Sequence, residues 1–205
     1  MTMRNAIFFL TVLLLGNFIT AEEKSLLILG DSISAGYGIE ENKNWVFLLQ
    51  ESFKKDGQTL KIKNASVSGD TTKGGLTRID SAFLNFNADY VLIELGGNDA
   101  LRGYSLVSIK NNLEKIILRV KAEGAQAILM QIKIPPNYGK KYSDAFEAIY
   151  RKISKQENIP LFPFLLEKVA LDSNLMQLDG IHPNLEAQPI IAQEVKESFL
   201  DLFNQ

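Results

Sequence analysis

Short apolar runs alternate along this chain with longer stretches in which apolar residues recur every three to four positions. The first run, 26–29, is wholly apolar and ends at Gly30, as expected for a strand that is buried on both faces. An alternating run and three more largely apolar runs follow it. The pattern therefore predicts five strands, at 26–29, 60–64, 89–95, 125–132 and 159–163.

The stretches between these runs have helical spacing. The clearest is 105–123, where Leu106, Ile109 and Leu113 begin an apolar stripe and Gly124 ends it. We predict helices at 43–57, 72–86, 105–123, 142–158 and 190–203, with 164–176 helical or irregular. Strands that alternate with helices are typical of a parallel sheet with helices on both faces. We expect one domain, 22–205, folded as a three-layer α/β/α sandwich around a roughly five-stranded parallel sheet.

Residues 1–21 have a different pattern. A positive charge at Arg4 precedes an apolar run from Ala6 to Ile19, and Ala21 provides a small residue for cleavage. The run is shorter than the roughly 18–20 apolar residues that a bilayer span needs, which favours a secretory signal peptide over a membrane anchor. We therefore expect export to the periplasm, cleavage after Ala21 and no stable membrane anchor afterwards.

Composition removes several classes of function. The 22 basic and 24 acidic side chains nearly balance, with a net charge of -2, so no nucleic-acid partner is indicated. The absence of cysteine excludes disulfides, thiolate metal sites and a cysteine nucleophile. The only histidine is His182, which excludes a zinc site built from several imidazoles. Chemistry that needs an imidazole must therefore use His182.

Small or polar residues follow the first three predicted strands. Ser32, Gly69 and Asn98 lie in these loops, which gather at one edge if the strands are parallel. In a later loop, the spacing of Asp179 and His182 allows the carboxylate to bond one ring nitrogen while the other accepts the Ser32 proton. The amides of Ser32, Gly69 and Asn98 are available to stabilise an oxyanion. This set predicts nucleophilic acyl chemistry.

Four sequence blocks resemble the conserved blocks of the SGNH, or GDSL, hydrolase family. They occur in the family's order and read GDS at 30–32, NASVSGDT at 64–71, LGGNDALRG at 95–103 and DGIHPN at 179–184. The resemblance implies a flavodoxin-like α/β fold, with Ser32 as nucleophile and Asp179 and His182 as its triad partners. It also implies an oxyanion hole made by Ser32, Gly69 and Asn98.

The resemblance further implies small acyl esters, acyl-CoA thioesters and lysophospholipids as substrates. We expect hydrolysis by a monomer through an acyl-enzyme, without metal or organic cofactor. Ile134, Pro135, Pro136 and Tyr138 follow the fourth predicted strand, so we expect them to form an apolar wall beside the acyl chain. The resemblance implies that this loop moves over bound acyl groups.

Other interpretations are weaker or stay open. The α/β-hydrolase elbow requires G-x-S-x-G, and Ser34 occupies the position of the second glycine. A carbohydrate acetylesterase is the alternative enzyme, and a non-catalytic acyl- or glycan-binding module is the alternative of another class. Glu94 is compatible with a buried acceptor or with a solvent-facing side chain. Asp31 and Asp99 are expected to cap or orient their loops.

Overall fold

The computed structural model of the protein describes residues 23–204, so the predicted signal peptide, 1–21, lies outside the described residues. All five predicted strands are present, at Lys24–Gly30 (β1), Leu60–Asn64 (β2), Tyr90–Glu94 (β3), Gln126–Met130 (β4) and Leu161–Phe162 (β5). They pair in parallel in the order β2-β1-β3-β4-β5. The predicted parallel sheet is confirmed, although β5 is shorter than expected.

Seven α-helices accompany the sheet within residues 23–204. They are Ser32–Ala35 (α1), Trp45–Lys55 (α2), Thr72–Phe83 (α3), Gly97–Leu101 (α4), Leu106–Ala122 (α5), Lys140–Glu157 (α6) and Gln188–Phe203 (α7). The five long helices agree with the predicted ones to within a few residues. None of the helices in this part of the chain is long and apolar enough to cross a lipid bilayer.

The strand order distributes the helices over both faces of the sheet. The chain moves outward from β1 to β2 through α2, and then runs the other way from β2 to β3 through α3. Because such crossovers are right-handed, this reversal places α2 and α3 on opposite faces. The helix α7 packs against α2, whereas α5 contacts both α3 and α6. The predicted three-layer α/β/α sandwich is therefore confirmed.

Two short helices, α1 and α4, occupy stretches that were expected to be loops. The Asp31 carboxylate caps α1 by accepting from the N–H of Ile33 at 3.1 Å, and Gly36 ends the helix in a left-handed conformation. A single turn is too short for hydrophobic periodicity to reveal, which explains the difference. Both turns begin at the carboxyl edge of the sheet, directly after β1 and β3.

The core lies on both faces of the three central strands. Residues 26–29 of β1 are fully buried, and the middles of β3 and β4 are equally so. A strand of this kind has no polar face, which is why its sequence is a continuous apolar run. The site at the end of these strands therefore stands on the buried core of the fold.

Candidate active site

The carboxyl edge of the sheet opens into a cleft of about 680 Å³. Ser32 opens α1 directly after β1, Asn98 lies in α4 after β3, and Gly69 lies in the loop after β2. All three residues line the cleft, together with His182 from the loop before α7. The structure thus brings together residues that are up to 150 positions apart in the chain.

A continuous hydrogen-bonded chain joins three of the predicted residues. His182 Nε2 lies 2.8 Å from Ser32 Oγ, and His182 Nδ1 lies 2.7 Å from Asp179 Oδ2. The other carboxylate oxygen, Oδ1, accepts from the backbone N–H groups of Ile181 at 2.9 Å and His182 at 3.0 Å. The carboxylate therefore fixes both the turn and the ring that the turn carries.

These contacts also determine the proton positions. The pKa of Asp179 is lowered to about 2, because the backbone and then the ring of His182 donate hydrogen bonds to its carboxylate. An ionised carboxylate can only accept, so Nδ1 of His182 carries the proton and Nε2 is left as an acceptor. The Ser32 hydroxyl can then donate to Nε2, as general-base activation of a serine requires.

Two residues that the sequence reasoning missed hold the histidine loop in place. The Tyr37 ring packs against the His182 imidazole, with the centroids 4.5 Å apart. Gln177 donates its backbone N–H to the His182 carbonyl at 2.7 Å and its side-chain amide to the Tyr37 carbonyl at 2.8 Å. Tyr37 could have been noticed in the sequence as an aromatic residue flanked by two glycines, Gly36 and Gly38. The Gln177 contact spans 140 residues and has no local signal.

Three residues that line the cleft have N–H donors available. Within residues 23–204, the backbone N–H groups of Ser32 and Gly69 donate to no protein acceptor. Gly69 has φ +79°, which favours glycine, and its carbonyl accepts from Arg102 Nη2 at 3.0 Å. Asn98 uses one amide hydrogen on Asp31 Oδ2 at 3.0 Å, so its second amide hydrogen remains available. This arrangement can bind an oxyanion.

The position of Asn98 depends on a glycine that cannot be replaced. Gly96 precedes α4 with φ +119°, and a Cβ there would collide with the hydroxyl of Tyr150. That hydroxyl donates to the Leu95 carbonyl at 2.8 Å and so fastens the end of β3 to α6. The turn that places Asn98 at the cleft therefore needs a glycine at position 96, where the backbone passes close to the Tyr150 hydroxyl.

Two buried carboxyl groups lie behind Ser32. Burial raises the pKa of Asp31 to about 6 and raises the pKa of Glu94 well above its ordinary value, with the nearby Asp31 charge adding to the effect on Glu94. Glu94 accepts from the Ser34 hydroxyl at 2.7 Å and from the Asp31 N–H at 3.3 Å, so it is a buried acceptor and does not face solvent. Asp99 orients the start of α3 by accepting from Thr72 Oγ1 at 2.6 Å.

The predicted acyl wall is only partly in place. Ile134 and Pro135 line the cleft, and the side chain of Pro136 lies outside what the structure describes. Tyr138 does not line this cleft. It closes a 3₁₀ turn that directs its hydroxyl to the Leu101 carbonyl, 3.4 Å away, and it borders a neighbouring cavity of about 520 Å³.

A second apolar wall also lines the cleft. The stretch 164–176 supplies it, with Leu165, Leu166 and Ala170 among the lining residues. The sequence reasoning missed this wall because the stretch forms irregular turns with no hydrophobic period. Within residues 23–204, no group of three or more His, Asp or Glu side chains is arranged to hold a metal ion.

Comparison with known proteins agrees with this geometry. The model of the GDSL-like lipase/acylhydrolase family matches residues 28–188, a span that includes Ser32, Asn98 and His182. The chain belongs to this family. The GDSL-family assignment confirms the resemblance carried by the four sequence blocks.

Relatives of known name support the same conclusion. An arylesterase of Vibrio mimicus is 46% identical over 180 residues, covering 88% of this chain and 90% of the relative. Thioesterase 1/protease 1/lysophospholipase L1 of Escherichia coli strain K12 is 43% identical over 192 residues, covering 94% and 91%. The solved psychrotrophic esterase EstA of Pseudoalteromonas sp. is 39% identical with a TM-score of 0.87, covering 89% and 100%. This GDSL-family protein is a carboxylic ester hydrolase.

Proposed function

We propose that the protein hydrolyses small acyl esters and acyl thioesters through an acyl-enzyme on Ser32. The observation that carries the proposal is the continuous chain from Ser32 through His182 to Asp179, with distances of 2.8 and 2.7 Å, at an apolar cleft. A binding module would not require a serine whose hydroxyl faces an oriented imidazole. The alternative of a non-catalytic module is therefore not favoured.

The reaction begins with attack of Ser32 Oγ on the acyl carbonyl carbon while His182 Nε2 takes the hydroxyl proton. Asp179 stabilises the resulting imidazolium, and the carbonyl oxygen gains negative charge. The N–H groups of Ser32, Gly69 and Asn98 stabilise this oxyanion. Collapse breaks the bond to the leaving group, which receives the proton from His182.

Water completes the cycle. It attacks the acyl group on Ser32 while His182 again acts as base, and the carboxylic acid and the free enzyme result. Every proton moves between the substrate, water and the two side chains, so the reaction needs no metal or organic cofactor.

The walls of the cleft support acyl chains as substrates. Ile134 and Leu165 both offer apolar surface to the cleft, which a carbohydrate would not use. The names of the relatives include arylesterase, thioesterase and lysophospholipase, so we extend the proposed substrates to aryl esters, acyl-CoA thioesters and lysophospholipids. A carbohydrate acetylesterase remains the less favoured enzyme.

Replacement of the nucleophile tests the proposal. Ser32→Ala should lower kcat roughly 10⁶-fold on nitrophenyl esters and acyl-CoAs, with an unchanged far-UV spectrum. The matched control is Ser66→Ala in the loop after β2, since the Ser66 hydroxyl has no hydrogen-bond partner among residues 23–204. EstA is inhibited by monoethylphosphonate, so a fluorophosphonate should label the wild-type protein at Ser32. A folded Ser32→Ala protein with normal turnover would end the proposal.

The acyl wall has its own test. Ile134→Ser should lower kcat/KM for a long-chain ester roughly tenfold while acetyl ester hydrolysis changes little, because only the long chain reaches the wall. Val107→Ser on the exposed side of α5 is the control. Equal losses on both esters would assign Ile134 to the scaffold.

We also propose that the protein is exported to the periplasm, is cleaved after Ala21 and acts as a monomer. The support is the charged, apolar and small-residue pattern of residues 1–21. Mass spectrometry of the native protein should find Glu22 at the amino terminus, and size-exclusion chromatography should give one chain's mass. An intact Met1 would exclude cleavage.

A further inference from the structure

The Asp31 carboxylate joins the turn that carries Ser32 to the turn that carries Asn98. Its oxygen Oδ1 accepts from the Ile33 N–H in α1 at 3.1 Å, and Oδ2 accepts from Asn98 Nδ2 in α4 at 3.0 Å. The side chain is only 4% exposed. One carboxylate thus bonds two elements that follow different strands of the sheet.

The bond to Asp31 determines which end of the Asn98 amide faces the cleft. An amide has two donor hydrogens at one end and an acceptor oxygen at the other, and all of them lie in one plane. With one hydrogen on Asp31, the plane is fixed and the second hydrogen points elsewhere within it. Without this acceptor, rotation by half a turn would present an oxygen to the developing oxyanion, which would repel it.

Asp31 is itself held from behind. Glu94 is 2% exposed and accepts from the Asp31 N–H at 3.3 Å and from the Ser34 hydroxyl at 2.7 Å. Within residues 23–204, neither carboxyl group has a cationic partner. Arg78, which donates to the Gly30 carbonyl at 3.1 Å, pairs instead with Asp70 at 2.6 Å. A carboxyl group buried without a cation costs free energy, so its retention here points to a positional role.

We propose that Asp31 is a positioning residue, which acts through Asn98 by holding its amide N–H toward the oxyanion. This inference rests on the proposed function, since it takes Asn98 as an oxyanion donor. It also separates two roles of Asp31, namely capping α1 through Ile33 and orienting α4 through Asn98.

Two variants of Asp31 test its role in orienting Asn98. Asp31→Ser keeps a good capping oxygen for the Ile33 N–H but is too short to reach Asn98. Asp31→Asn keeps the size of the side chain but can offer an oxygen to only one of the two donors. Both should lower kcat roughly 10-fold to 100-fold with KM little changed, the fold-change expected from one lost hydrogen bond to a charged group.

A matched control lies at the opposite end of the sheet. Asp89 Oδ2 accepts from both the N–H and the hydroxyl of Ser25, each at 2.7 Å. Asp89→Asn therefore disturbs an aspartate with a comparable pair of donors but no contact with the cleft, and kcat should stay at the wild-type value. Thermal unfolding of all three variants shows whether each remains folded.

A double-mutant cycle decides the inference. If Asp31 acts through Asn98, Asp31→Ser should lower kcat by less than about threefold in an Asn98→Ala background, although it lowers kcat at least tenfold alone. Losses that multiply, or an unchanged kcat in a folded Asp31→Ser protein, would overturn it. An inactive Ser32→Ala beside such a result would leave the proposed function intact, whereas an active Ser32→Ala would remove the proposed function itself.

Discussion

The two aspartates beside the candidate nucleophile lie in opposite surroundings. Asp179 belongs to the rim, the loop 179–182, where its side chain is 39% exposed and its pKa is lowered to about 2 by hydrogen bonds from His182. Asp31 belongs to the floor, which consists of Asp31, Ser34 and Glu94. There the side chain is 4% exposed, and burial raises its pKa to about 6. The same residue type is thus favoured as an anion in one region and disfavoured in the other.

This difference suggests a division of work. The rim keeps a negative charge at low cost, because donors of its own loop and solvent surround Asp179. Such a charge is suited to stabilise an imidazolium. The floor is buried, and no cationic side chain among residues 23–204 pairs with it, so a negative charge there costs free energy. The contribution of the floor to function is therefore a fixed arrangement of hydrogen bonds. We therefore expect activity to depend on the negative charge of the carboxylate at the rim. At the floor, activity should depend on the positions of the hydrogen-bond acceptors.

The largest effect should come from neutralising the rim. Asp179→Asn should lower kcat roughly 10⁴-fold, because an amide cannot stabilise the imidazolium and its N–H favours the wrong tautomer of His182. Asp172→Asn is the matched control, since Asp172 likewise accepts from an N–H two residues ahead but lies outside the cleft. A loss below tenfold in steady-state kinetics would show that the charge of the rim matters little.

The next effect should come from removing the donor that the floor holds. Asn98→Ala should lower kcat roughly 10²-fold to 10³-fold with KM little changed, because an oxyanion donor acts in the transition state. Asn112→Ala on α5 is a suitable control, since it loses only a bond to Thr72. If Asn98 merely stabilised its turn, the melting temperature, KM and kcat would all change together.

The fold could be predicted from the sequence alone because the strongest signals for its strands and helices are local hydrophobic patterns. Continuous apolar runs mark β1, β3 and β4, and the stripe on α5 marks a helix whatever surrounds it. The single-turn helices α1 and α4 were missed because four or five residues contain too little of a period. Their backbone depends on capping by Asp31 and on the left-handed Gly96.

The site was predictable where spacing or motif carries it. Asp179 and His182 are three residues apart, so their contact is local, and Ser32 follows the first strand. By contrast, the packing of Tyr37 on the imidazole and the burial of Glu94 depend on how distant segments meet. Whether a lone acidic residue in an apolar strand is buried depends on the helix that covers it, which local pattern does not record.

The floor should also affect stability, in the opposite direction from the rim. The folded-state pKa of Asp31, about 6, exceeds its ordinary value of 3.8, so between these values the folded protein keeps a proton that the unfolded chain has lost. The contribution of Asp31 to the free energy of unfolding therefore falls by roughly 2–3 kcal/mol as pH rises from about 4 to about 6. Asp179, with its lowered pKa, stabilises the fold above about pH 4 and loses this contribution as pH falls toward 2.

Thermal unfolding of wild type and Asp31→Asn between pH 4 and pH 7 tests this sign. The melting temperature of the variant should rise relative to wild type by about 5–10 °C over that range, since asparagine carries no titrating proton. Taking the difference between the melting temperatures of variant and wild type at each pH removes the contribution of the other titrating groups. A difference that does not change with pH, or a variant that loses stability relative to wild type as pH rises, would contradict the cost assigned to the floor.

The smallest effect should come from Glu94→Gln, which provides the counterpart of Asp179→Asn. Burial, and then the charge of Asp31, raise the pKa of Glu94 well above its ordinary value, which favours the neutral carboxylic acid. Glutamine keeps an oxygen for the Ser34 hydroxyl and the Asp31 N–H, and kcat should stay within about threefold of wild type. Glu94→Ala is the informative control, because it leaves the Ser34 hydroxyl without its acceptor and should lower the free energy of unfolding by about 1–3 kcal/mol. If glutamine destabilised the fold as much as alanine, the contrast between rim and floor would fail.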